Sequence, residues 1–75
     1  QITVSPNPAT SQIRLRDAQG TLQSLRVFNA VGQEVLRQDL DGSTGTVNIS
    51  NLSKGIYFLQ IRTGHGTVMR KIAKN

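Results

Sequence analysis

The chain has 75 residues, of which 36% are hydrophobic, with one Tyr, two Phe, no Trp and no Cys. A single domain of this length buries only about 60% of the surface its unfolded chain exposes, so a small aliphatic core is expected, with no disulfide and no Cys-based zinc site to supplement it. The formal net charge is +5, and no apolar run approaches the roughly 18 residues of a membrane span, so membrane insertion is not expected.

Charge is distributed unevenly. All four acids, Asp17, Glu34, Asp39 and Asp41, precede residue 42, whereas Lys54, Arg62, Arg70, Lys71 and Lys74 follow it. A basic half of this kind can meet an acidic protein surface, an anionic glycan or a nucleic acid, or can simply be solvated strand faces. The first residues form no basic-then-apolar leader, so an export address, if one exists, is expected within the fold or in a longer parent.

In chain order, residues 2–4 form a short β-prone segment that Ser5-Pro6-Asn7-Pro8 stops, because the two prolines remove donors and favour extended geometry before them. Residues 11–16 alternate, with Ile13 and Leu15 on one face and Arg14 and Arg16 on the other, as a half-buried antiparallel strand does. Asp17 to Gly20 turns the chain into a strand over 22–29, with Leu25 and Val27 inward and Phe28 opposite. Gly32 closes a short hairpin, where its freedom at positive φ is useful. Residues 33–38 return as a strand through an inward Val35, and 39–45 form the longest and most polar loop. Val47 and Ile49 share a face in the next strand, and Leu52 plugs one end of the core from the turn at 51–54.

The last hairpin is the most strand-like and most basic stretch. Gly55 opens its first arm, expected in a backbone conformation closed to other residues. Tyr57, Leu59 and Ile61 then point one way, while Ile56, Phe58, Gln60 and Arg62 point the other, as in a central strand. After a turn over 63–66, residues 67–74 mix Val68, Arg70 and Ile72 on one face with Met69, Lys71 and Ala73 on the other. Lys and Arg inserted in this way suit an edge strand. Seven short strands at about ten-residue spacing, without sustained helical periodicity, predict an all-β fold: a small antiparallel seven-stranded immunoglobulin-like β-sandwich.

Catalytic chemistry has little support. His65, the only histidine, sits between glycines in a turn, and no motif supplies partners for a Ser-His-Asp arrangement. Asp39-Leu40-Asp41-Gly42 resembles the start of a calcium loop but lacks the later acid that the pattern needs. The triplets Asn48-Ile49-Ser50 and Asn51-Leu52-Ser53 match the N-glycosylation pattern but receive no role. A single-strand nucleic-acid platform requires aromatics interleaved with basic residues, and only Phe28 and Phe58 could serve, so no specific nucleic acid is expected. No enzyme activity, cofactor or metal is expected. One alternative is a small β-sandwich binding or adhesion module for a carbohydrate or protein ligand, although the sugar-stacking Trp is absent.

Three segments in order, Val4-Ser5-Pro6-Asn7-Pro8-Ala9-Thr10, Val27 to Val35 with its Gly32, and Asn48 to Ile61 with Leu52, Gly55 and Tyr57, lead to a final Lys71-Ile72-Ala73-Lys74. Together they resemble the type A C-terminal sorting domain of the type IX secretion system over essentially the whole chain. Two departures are Ser5, where the family most often has an aromatic, and the extra Asn75.

The resemblance implies a single domain over 1–75, the tail of a larger secreted Bacteroidota protein that carries its own Sec signal peptide. It implies export through the periplasm to the cell surface or extracellular space. The implied partners are secretion machinery proteins: an outer-membrane translocon, and a sortase-like cysteine peptidase that removes the domain and often attaches the cargo to an anionic lipopolysaccharide. On this basis the secretion-signal residues are expected to be Gly55, Arg70, Lys71, Ile72, Ala73 and Lys74, with Pro6, Asn7, Pro8, Gly32, Leu52 and Tyr57 as structural motif positions. The edge strand is expected to offer unpaired backbone groups for strand addition, with Lys71 and Lys74 steering toward an acidic receptor surface.

Overall fold

A computed structural model describes residues 2–75. Its strands are β1 (Ile2–Ser5), β2 (Gln12–Asp17), β3 (Leu22–Phe28), β4 (Glu34–Gly42), β5 (Thr44–Asn48), β6 (Gly55–Thr63) and β7 (Gly66–Lys74). They form two antiparallel sheets, ordered β1-β2-β5 and β4-β3-β6-β7, an immunoglobulin-like sandwich as the strand spacing predicts. β6 is central and β7 lies at an edge, both as expected.

Period-2 patterning accounts for the core. Ile13, Leu15, Leu25, Val27, Val47, Ile49, Tyr57, Leu59 and Ile61 are buried between the sheets, joined by Ile2, Ala9, Leu22 and Ile72. The Tyr57 hydroxyl donates to the Ser53 carbonyl at 2.7 Å. This resembles the tyrosine corner of immunoglobulin-like sandwiches, in which a Tyr near the start of the sixth strand bonds backbone a few residues upstream, and it ties the turn at 51–54 to β6. Leu52 is half-buried against the core.

Two expectations fail on β4. Val35 is 39% exposed rather than inward, because the register is irregular between Val27 and Phe28 and the inward positions of β4 are Leu36 and Leu40, which pack against the core. Nor is 39–45 a loop. Asp39 pairs with Ser24 and Gly42 with Leu22, and only Ser43 separates β4 from β5. Pairing along β3 and β2 overrides the weak strand propensity of Asp and Gly in this segment.

The turn after β2 is built by a buried charge. Asp17 is buried, and its carboxylate accepts the Gln19 amide at 3.0 Å, the Thr21 amide at 2.8 Å and the Thr21 hydroxyl at 2.7 Å. The Thr21 hydroxyl foremost, then the two amides, hold its pKa below the ordinary value of 3.8, because each hydrogen bond favours the charged form.

Candidate functional site

The topology brings the motif positions to one end of the sandwich. β1 and β5 finish there and β2 starts there, as do β6 at Gly55 and β4 at Glu34. Gly55 sits directly opposite Lys74 in the β6–β7 register, with φ +149° and no atom within 4 Å of where a Cβ would stand. Backbone conformation, not crowding, therefore suits glycine here. The hairpin loop at Asn29, Ala30 and Val31 lines a shallow depression with Lys54, Gly55, Ile56 and Tyr57. Gly32, with φ +90°, closes that hairpin, and its amide donates to the Asn29 carbonyl at 3.0 Å.

The Pro6-Asn7-Pro8 segment, in which both X-Pro bonds are cis, reaches across to the outer edge of β7. The Ala73 amide donates to Asn7 Oδ1 at 3.0 Å, and Asn7 Nδ2 donates to the Lys71 carbonyl at 3.4 Å. Ala9 continues the contact as a parallel bridge to Lys74: its amide donates to the Ala73 carbonyl at 2.9 Å, and its carbonyl accepts the Asn75 amide at 2.8 Å. The expectation of an open edge is thus corrected over its last residues. The outward backbone groups of Ala73 and Asn75 are taken by the chain's own Asn7 and Ala9. Strand alternation turns the amides of Thr67, Met69 and Lys71 to the same side, and these have no backbone partner among the described residues.

The terminal residues differ in what they present. Ile72 is buried opposite Tyr57. Arg70 lies on the core side of β7 and reaches the neighbouring edge strand, its Nη2 donating to the Ile2 carbonyl at 3.4 Å and its Nη1 to its own neighbour, the Met69 carbonyl, at 3.1 Å. Lys71 is exposed on the outer face with Met69, whereas Lys74 is on the opposite face and half-buried. The two lysines consequently share a strand end but not a face. Ala9, fully buried and doubly bonded to the terminal strand, was not singled out from the sequence; its position immediately after Pro-Asn-Pro was the only signal.

Residues 3–75 match the family model described as the secretion system C-terminal sorting domain. The chain belongs to that family. No curated protein matches it. As a sorting domain of this family it is a C-terminal sorting signal for type IX secretion, which implies interaction with the secretion machinery and export across the outer membrane to the cell surface or extracellular space. The sorting-domain family is not an enzyme family. His65 occupies a two-residue turn, and its amide donates to Thr63 Oγ1 at 3.0 Å. Asp39 and Asp41 alternate outward along β4, and no group of three or more potential metal ligands occurs among the described residues.

Proposed function

We propose that this domain is the tail of a larger cargo protein, directs that cargo through an outer-membrane type IX translocon, and is then removed by a sortase-like peptidase. The observation that carries the proposal is the family match over residues 3–75. Within the domain, the signal is the folded corner formed by Gly55 and the end of β7, with Arg70, Lys71, Ile72, Ala73 and Lys74 in distinct roles. Lys71 and Lys74 supply charge for an acidic receptor surface. Ile72 and Arg70 hold the strand against the core and the neighbouring sheet, and Ala73 is the point at which Asn7 and Ala9 clasp it.

The clasp supports recognition of a folded signal. Strand addition along 71–75 requires displacement of Asn7 and Ala9, whereas the outward backbone of Thr67 and Met69 can take a partner strand without it. The direct test is to fuse the chain behind a periplasm-targeted reporter in a bacterium that has the type IX system. The expected result is reporter at the surface or in the medium, with a mass showing loss of the domain. Reporter that stays in the periplasm would contradict sorting, and exported reporter that keeps the whole domain would contradict removal.

A further inference from the structure

The outer face of the four-stranded sheet carries two features that export does not explain. One is a group of exposed apolar side chains. Ile56, Phe58 and Met69 are 38%, 37% and 54% exposed, and Val35 is 39% exposed; Phe28 pairs directly with Phe58 across β3–β6. The other is a cluster of guanidinium groups beside those side chains. Two adjoining depressions share Ser24, Arg26 and Arg62; Gln60 and Thr67 complete one, Arg37 and Asp39 the other.

The cationic cluster is unfavourable by itself. Arg26 and Arg37 face each other directly across β3–β4, and like charges in that position destabilise a sheet. Glu34 offsets this by accepting from both, but Arg62 has no carboxylate within ion-pair distance among the described residues. The face therefore has unspent capacity for carboxylates, and planar guanidinium groups bind them with defined geometry.

We propose that this face docks an acidic protein segment whose carboxylates meet Arg62 and the charge that the single Glu34 leaves uncompensated on Arg26 and Arg37, while its apolar side chains cover Phe58, Ile56 and Met69. Three observations select this occupant. The Arg26 guanidinium lies 5.0 Å from the centroid of the Phe28 ring, so one of the two aromatic faces is already covered, and a single free ring is no platform for successive bases. Glu34 and Asp39 lie among the cations, where they would repel an anionic lipid surface but can be accommodated by a segment of mixed side chains. A second copy of this chain would bring one basic face against another. The proposal uses the face of the sheet rather than the end of β7 and does not depend on how the terminal strand is read.

The test titrates the 75-residue chain, followed by amide NMR at a salt concentration of about 0.15 M, with a short peptide alternating Glu and Leu. Parallel titrations use the same peptide with Gln for Glu, oligothymidylate, and phosphatidylglycerol vesicles. The expected result is saturable shifts centred on Phe58, Gln60, Arg62 and Met69, with binding weakened about tenfold by the Gln peptide, by Arg62→Glu and by Phe58→Ser. Arg16→Glu, which makes the same charge change on the other sheet, should leave binding within about twofold. If Phe58→Ser does not keep the wild-type amide spectrum, the Gln peptide and Arg62→Glu decide. Absence of saturable binding, equal loss in Arg16→Glu, or tighter binding of oligothymidylate or vesicles would overturn the proposal.

Discussion

Asn7 and Ala73 are joined by a hydrogen bond at 3.0 Å across 66 positions of sequence. Through it the segment that follows the first strand closes over the last one, so the two ends of the domain are ordered together. Replacing Asn7 by Ala should cost about 0.5–1.5 kcal/mol, the typical net worth of a hydrogen bond, and lower the melting temperature by roughly 4–8 °C for each kcal/mol lost. Hydrogen exchange is the sharper measurement. The Ala73 and Asn75 amides should exchange faster in Asn7→Ala while the β3 and β6 amides change little, and unchanged exchange at Ala73 would show that the clasp is not holding the strand.

Leu59 is fully buried in the central strand, opposite Val27 on one side and Arg70 on the other. Truncation to Ala should cost about 2–5 kcal/mol, a large part of the stability available to so small a fold. Chemical denaturation of the purified domain would register this as a lowered midpoint at an unchanged slope.

Gly55 tests backbone conformation separately from packing. Its φ of +149° is closed to most residues, yet a Cβ there would meet nothing within 4 Å, so Gly55→Ala should destabilise through strain alone, by about 1–3 kcal/mol. Equal stability of Gly55→Ala and wild type in thermal unfolding would refute this.

Acid sensitivity should trace to Asp17 and Glu34. Both carboxyls titrate below their ordinary values of 3.8 and 4.5, Asp17 chiefly because of the Thr21 hydroxyl and Glu34 chiefly because of its hydrogen bond from Arg26, with Arg37 next. A depressed native pKa contributes stability that is fully present above the unfolded-state value and is lost as pH falls through the native one. The melting temperature should therefore decline as pH drops below those ordinary values. Asp17→Asn should be less stable at neutral pH and show a shallower acid decline, as measured by thermal unfolding across that range.

What was legible in the sequence was local. Ile13 with Leu15, Leu25 with Val27, and Tyr57 with Leu59 and Ile61 each announce an inward face by alternation, and all are buried. Misplacement came where a non-local partner decides. In β4 the irregular register beside Phe28 turns Val35 outward, and pairing with β3 keeps Asp39 through Gly42 in strand form, which composition alone reads as loop. At the site, Gly55 and the terminal strand were legible as neighbours because a hairpin joins them. The clasp was not, since the reach of Asn7 and Ala9 to the far end of the chain depends on which side of the sandwich β1 and β7 share. The separation of Lys71 and Lys74 onto opposite faces, by contrast, is legible, since three residues along a strand require it.

The central claim, that the folded end of β7 is the export signal, is tested most directly by localising a reporter fused to the Lys71→Glu/Lys74→Glu domain in a bacterium with the type IX system. The purified variant must first show the wild-type fold, and deletion of residues 71–75 is run beside it, also checked for folding. The account predicts that the folded charge-reversed variant leaves its reporter in the periplasm while wild type reaches the surface or medium. Normal export of the folded charge-reversed variant, or of a deletion variant that still folds, would contradict it.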